Sequence, residues 1–185
     1  MEDTIYTIGH STHPIDEFIG ILQAYQIGLL ADVRTVPGSR HNPQFNQAEL
    51  EMFLQQHGIA YVHIKELGGL RRTTKPSINT GWRNLSFRGY ADYMQTEEFR
   101  AGIERLLELA RAQRTVIMCA EAVPWRCHRS LIGDALLVRK FNVLDIMGER
   151  SAKPHELTPW ARVDGDSVTY PEPGPEPGTD AEQKT

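Results

Sequence analysis

The sequence predicts an α/β fold: a single three-layer domain in which a mostly parallel sheet of about five strands is covered by helices on both faces. Three observations predict it. β-rich runs and amphipathic helical runs alternate along the chain. The β-rich runs are apolar at consecutive positions, as strands buried on both faces are. Polar and charged residues gather just after those runs, at the strand ends where parallel sheets place their ligand crevice.

The elements follow in order. "TIYTIG" (Thr4 to Gly9) is a short β-rich run. "PIDEFIGILQAY" places Phe18, Ile21, Leu22 and Tyr25 at helical spacing and opens with a proline, which a first helical turn tolerates. "GLLADVR" (Gly28 to Arg34) is apolar with a polar end, "NQAELEMFLQQHG" is a helix that stops at glycine, and "IAYVHI" (Ile59 to Ile64) is a third strand. A Gly-, Arg-, Thr- and Asn-rich stretch runs from Gly68 to Gly89. "TEEFRAGIERLLELARAQ" then presents Phe99, Ile103, Leu106, Leu107 and Ala110 along one helical face. "TVIMCA" (Thr115 to Ala120) is the fourth strand, Arg129 to Phe141 the last long helix, and "NVLDIM" (Asn142 to Met147) the fifth strand. This is a Rossmann-like pattern over residues 1–150, with a basic aromatic loop at 68–89. A C-terminal extension follows at 151–170, and an acidic tail at 171–185, "PEPGPEPGTDAEQKT", is expected to be disordered.

Composition narrows the function classes. In a chain of 185 residues, net charge −4 argues against a wholesale basic nucleic-acid binder, yet Arg71, Arg72, Lys75, Arg83 and Arg88 follow one another with no acid between them. No apolar run approaches the ~20 residues that span a bilayer, so no membrane partner is expected. "MEDTIYTIGH" lacks a basic-then-apolar leader, and the expected location is cytoplasmic. Two cysteines are too few for a disulfide framework.

The strand-end rule gathers the candidate site. Strand one ends in Gly9-His10-Ser11, strand two in Asp32-Val33-Arg34, and strand four in Cys119-Ala120-Glu121; all open onto one edge. Cys127, His128 and Arg129 stand at the start of the last helix, where free N–H groups favour an anion or a thiolate. On this reading Cys127, beside Arg126 and Arg129, is the reactive thiol, and Cys119 is core. Cys127, His128, His10, Asp32 and Glu121 are the candidate catalytic groups. Ser11, Arg34, Arg40, Arg71, Arg83, Arg88 and Arg129 are the candidate anion ligands, and Trp82 and Tyr90 the candidate stacking groups. A metal site built from Cys119, Cys127, His128 and His10 is the alternative use of the same residues, although Cys119 and Cys127 lack a zinc-knuckle spacing.

Five segments in one order carry a resemblance: "TIGHST", "DVRTVPGSRHNPQFN", "YVHIKELGG", "GWRNLSFRGYADYM" and "MCAEAVPWRCHRSLIGDAL". Together they resemble the bacterial family classed as domain of unknown function four-eight-eight. The resemblance implies a compact α/β domain with functionally suspected cysteines and no settled activity. The expected function is therefore argued from the residues: an enzyme acting on an anionic substrate, phosphorylated or nucleotide-like, through Cys and His chemistry of a hydrolase or transferase kind. A nucleic-acid-binding module and a metal- or small-ligand-binding protein without turnover are the alternatives. No cofactor is assigned.

Overall fold

The computed structural model describes residues 3–174; most of the tail expected to be disordered lies outside the described residues. Eight strands and five helices are present among them: β1 (Thr4–Gly9), α1 (Ile15–Ala24), β2 (Leu29–Asp32), α2 (Gln47–Gln56), β3 (Ala60–His63), α3 (Leu85–Tyr93), α4 (Glu97–Ala112), β4 (Thr115–Cys119), α5 (Arg129–Val138), β5 (Asn142–Gly148), β6 (Ser151–Pro154), β7 (Arg162–Asp164) and β8 (Ser167–Thr169). The main sheet has six strands in the order β3-β2-β4-β1-β5-β6. The first five are parallel, and β6 returns antiparallel on β5 as an edge strand. Strands β7 and β8 form a separate antiparallel pair.

Strand alternation builds the two cores. In β1, Ile5 points to the face covered by α3, α4 and α5, while Tyr6 and Ile8 point to the face covered by α1 and α2. In β4, Ile117 and Cys119 join the first face, Val116 and Met118 the second. Helix α1 contributes Phe18, Ile21 and Leu22 to the second core, and α5 contributes Leu131, Ile132, Ala135 and Leu136 to the first. Two helix starts are capped by their own sequence. Asn84 accepts hydrogen bonds from Ser86 N and Phe87 N at the start of α3, and Thr96 accepts one from Phe99 N at the start of α4. Glu97 and Glu98 in the first turn of α4 and Arg111 in its last complement the helix dipole.

This connectivity sets the place of the site. The chain leaves β1 toward the α1 face and leaves β4, its neighbour, toward the α5 face. A crevice therefore opens at the carboxyl ends of β1 and β4, the topological switch point of the sheet.

Two regions differ from the sequence-based picture. The long basic stretch ends in a helix, α3, and is tied down by Asp92, which accepts hydrogen bonds from Thr74 N, Ser77 Oγ and Asn79 Nδ2. Those bonds hold the Asp92 carboxyl below its ordinary range against the upward push of burial. The segment after β5, read from sequence as an extension, packs into the domain. Tyr170 is fully buried, its N–H on Asn79 Oδ1 and its hydroxyl on Asp134. No helix among the described residues is long and apolar enough to cross a membrane.

Candidate active site

The site is built around Arg129. Thr7 and Cys119 lie on the α5 side of adjacent strands, and Arg129, the first residue of α5, folds back beneath the helix between them. Its guanidinium donates from Nη1 to Cys119 Sγ at 2.9 Å and to Glu121 O at 2.7 Å, from Nη2 to Ala122 O at 3.2 Å, and from Nε to Thr7 Oγ1 at 3.2 Å. Arg129 is 1% exposed. Gly9 makes room for this arrangement: a Cβ there would stand 1.6 Å from Glu121 O and 2.7 Å from Arg129 Nη1.

A buried guanidinium needs an anionic partner, and among the described residues no carboxylate pairs with Arg129 directly. The acidic group it touches is the Cys119 thiol. Burial pushes that thiol up, but a hydrogen bond from the Cys127 S–H, the Arg129 charge and the Glu121 backbone outweigh it, leaving Cys119 at about 7. Cys127 goes the other way. It gives its proton to the bond with Cys119 and is itself buried, so its thiol is pushed well above the ordinary value, although Sγ accepts the Arg129 N–H at 3.5 Å. The guanidinium expected to favour the Cys127 thiolate lies instead on Cys119, at 2.9 Å. The helix start does favour a thiolate, but the side chain of Arg129 delivers its charge to Cys119.

His128 stands on the far side of Cys127. Its Nδ1 lies 3.4 Å from Cys127 Sγ, and its Nε2 lies 2.8 Å from Val33 O, to which it donates as the N–H tautomer. Burial lowers its pKa to about 4, so the ring is neutral near pH 7 and Nδ1 is an acceptor. Gly69 packs on this ring: a Cβ there would meet Nδ1 at 2.5 Å. Gly69→Ala is expected to displace His128 and lower stability by about 1–3 kcal/mol, read as a fall in the melting midpoint.

Cys119, Cys127 and His128 form one wall of a cleft of about 490 Å³. Arg34 and Glu121 lie in it, and so do Arg126, Thr35, Asn84 and Phe87. Arg126 is exposed and has no ion pair among the described residues, which leaves its charge free for a ligand. Val36 and Leu70, 69% and 78% exposed, give the mouth an apolar rim. A larger cavity of about 720 Å³ holds Trp125, Lys153 and Trp160. Its ionisable wall, His155 with Asp145, is engaged in an internal network. That network continues from Arg129: Thr7 donates to Asp145, His155 bridges Asp145 and Asp134, and Tyr170 donates to Asp134 at 2.7 Å.

Other residues singled out by sequence are placed differently. Asp32 is fully buried and grips Arg34 at 2.7 Å and 2.9 Å while accepting from Tyr61 at 2.8 Å. The Arg34 charge is therefore neutralised where it lines the cleft. His10 is buried against Phe45, its Nδ1 on Ser11 O and its Nε2 toward Arg34; burial lowers it to about 4. It is a structural histidine. Ser11 turns the chain after β1 with φ of 46° and donates its N–H to Ala120 O. Arg40 is exposed and outside the cleft.

Several expected roles need correction. Tyr90 is fully buried with its hydroxyl on Leu67 O, so it has no free face for stacking. Trp82 packs against Phe87, Trp160 and Tyr170 and lines the larger cavity instead of the cleft. Arg71 and Arg88 donate to carbonyls of their own loop, and Arg71 also covers the Tyr93 ring at 3.6 Å. Arg83 lies in a separate pocket with Arg88. Arg129 is too buried to clamp an external anion. The alternative metal set does not assemble: His10 faces Arg34, and among the described residues no three His, Cys, Asp or Glu side chains are grouped to hold a metal ion. Sequence reasoning missed Thr7, Asp134, Asp145 and His155. Its available signal was a lone polar residue inside an otherwise apolar run, as Asp145 is in "NVLDIM".

Comparison with known proteins adds one match. Residues 14–136 fit the model of the family described as Domain of unknown function DUF488, a span that includes Arg34, both cysteines, His128 and Arg129. No curated protein and no solved structure matches the chain.

Proposed function

The chain belongs to the DUF488 family, and from the geometry of its cleft we propose that it is an enzyme using Cys119 as a nucleophile on a small anionic substrate. The observation that carries this reading is the buried Arg129 guanidinium, which has a thiol as its acidic partner at the switch point of a parallel sheet. A thiol that titrates at about 7 is about half thiolate at pH 7 while keeping useful nucleophilicity. Arg126 supplies the unpaired charge at the cleft mouth, and the apolar rim of Val36 and Leu70 suits a substrate that is not anionic throughout. His128, neutral with Nδ1 toward the sulfur pair, is the group placed to take up and return a proton. The nucleic-acid alternative keeps Arg72, Lys75 and Arg83 as exposed cations but loses Tyr90 as a base platform.

Brief alkylation of the native protein, mapped by mass spectrometry across pH, tests the proposal. Cys119 is expected to label first with a midpoint near pH 7, and the anionic reagent iodoacetate is expected to gain on iodoacetamide relative to a free thiol. Inorganic phosphate should slow the reaction, and Arg126→Gln should remove the preference for the anionic reagent. Labelling of Cys127 first, or of neither thiol before denaturant is added, would sink the proposal.

A further inference from the structure

We infer that Cys119 and Cys127 work as a nucleophile and a resolving thiol, cycling between dithiol and disulfide at the expense of a small anionic disulfide. The inference rests on the nucleophile reading above and names its substrate class. Four observations carry it. The two cysteines are free and line the same cleft, and one residue holds both sulfurs: Arg129 Nη1 lies 2.9 Å from Cys119 Sγ and Arg129 N lies 3.5 Å from Cys127 Sγ. A disulfide needs the sulfurs at about 2.05 Å, so closure draws together two sulfurs that share Arg129 as a neighbour. Cys127 belongs to the connection between β4 and α5, where it closes a single turn of 3-10 helix with extended backbone, and is not fixed inside a long element. His128 Nδ1 lies 3.4 Å from the Cys127 sulfur with its acceptor lone pair on that side. A pair kept only for packing has no use for a base on the protonated thiol and a guanidinium on the other.

The chemistry balances with these groups. The Cys119 thiolate attacks one sulfur of R–S–S–R; the S–S bond breaks, R–S⁻ leaves, and Cys119–S–S–R forms. As the Cys127 sulfur attacks the Cys119 sulfur and expels the second R–S⁻, the Cys127 proton is relayed through His128 Nδ1 to the first R–S⁻. The protein dithiol is oxidised by two electrons and the small disulfide is reduced to two thiolates. The relayed proton leaves one of the two as a thiol. In the reverse direction Arg129 stabilises Cys119 as the leaving group, which makes the cycle reversible. Having only one of the two thiols ionised at rest avoids placing two negative sulfurs side by side in a buried site. The substrate class follows from the cleft: about 490 Å³ admits a molecule of tripeptide size rather than only a peroxide, and its one unpaired cation, Arg126, among the described residues selects negative charge.

The test treats the full reduced protein with oxidised glutathione, and in parallel with the cationic disulfide cystamine, and follows intact mass and free thiols with time. The wild-type protein is expected to lose both thiols, to release reduced glutathione and to end two hydrogens lighter with no adduct. Cys127→Ser should accumulate one glutathionyl group on Cys119, Cys119→Ser should accumulate none over the same time, and cystamine should react about tenfold more slowly. A wild-type protein that stops at the mixed disulfide overturns the resolving role. If that happens while Cys119 still alkylates in the native state, the nucleophile reading stands and only the disulfide cycle falls. Absence of native alkylation removes both. Equal or faster reaction with cystamine overturns the anionic substrate class. The wild-type measurement alone decides the disulfide, whatever the folding of the serine variants.

Discussion

Replacing Arg129 by methionine is expected to cost about 3 kcal/mol of stability and to move the Cys119 thiol from about 7 up to or beyond the ordinary thiol range. Methionine keeps an unbranched apolar stem, so the packing against α5 is largely preserved and the losses are polar. The carbonyls of Glu121 and Ala122 lose their guanidinium donors, and a buried acceptor left without a partner costs about 1–3 kcal/mol. Cys119 escapes the same cost by taking up a proton, which is why its titration reports the loss so directly. Arg129→Lys separates the two effects. An ammonium keeps the positive charge near the sulfur but cannot reach four acceptors from one planar fork. That variant is expected to hold the thiol below its usual range while still losing stability. The pH dependence of Cys119 alkylation and a denaturant titration measure the two quantities independently. A methionine variant whose alkylation midpoint stays near pH 7 would assign the depressed value to the Cys127 hydrogen bond alone.

Much of this site was legible because a parallel sheet sends its strand ends to one edge. Alternating patterns placed every parallel strand to within one or two residues, and the edge rule selected Arg34, Cys119, Glu121 and His128, which line one cleft. Contacts that depend on side-chain trajectory were not legible. Arg129 at a helix start reads as an anion ligand, but its long stem folds under the helix because Gly9 leaves space there. The assignment of the two thiols turns on that one rotamer. Tyr90 directly follows a segment rich in arginine and glycine, so it read as a stacking group beside the basic loop. In the structure the segment forms α3, whose inner face buries Tyr90 in the core. The Thr7–Asp145–His155–Asp134–Tyr170 network joins residues up to 138 positions apart. No local period encodes such a set. The antiparallel β6 and the β7–β8 pair are short, and β7 is exposed along its length, so neither carries an alternating apolar signature.

The same two centres give the protein a pH response in which opposing contributions can be separated by mutation. Burial works against a charged His155, but its hydrogen bonds to Asp134 and Asp145 win and raise it from 6.5 to about 9. A raised pKa means the folded state holds a proton that the unfolded chain releases. The His155 contribution is therefore complete below pH 6.5 and is lost as pH rises through about 9. Cys119 has the opposite sign, because its folded value of about 7 lies below its unfolded value near 9. Its contribution is complete above pH 9 and is lost as pH falls through 7. Each is worth on the order of a few kcal/mol, and between pH 7 and 9 they offset one another. His10 and His128, both lowered to about 4, act below this window, and Cys127 acts above it. The wild-type melting temperature is accordingly expected to change little between pH 7 and 9. Cys119→Ala should expose the His155 term, its melting temperature falling by several degrees over that interval. His155→Asn should expose the Cys119 term and rise over the same interval, from a lower starting point because two buried carboxylates have lost their cation. Calorimetric scans of the three proteins at pH 7, 8 and 9 measure the slopes. Parallel curves would show that neither group changes its proton occupancy on unfolding in this range, and the buried Arg129–Cys119 pair would then be a guanidinium–thiol hydrogen bond instead of a guanidinium–thiolate contact.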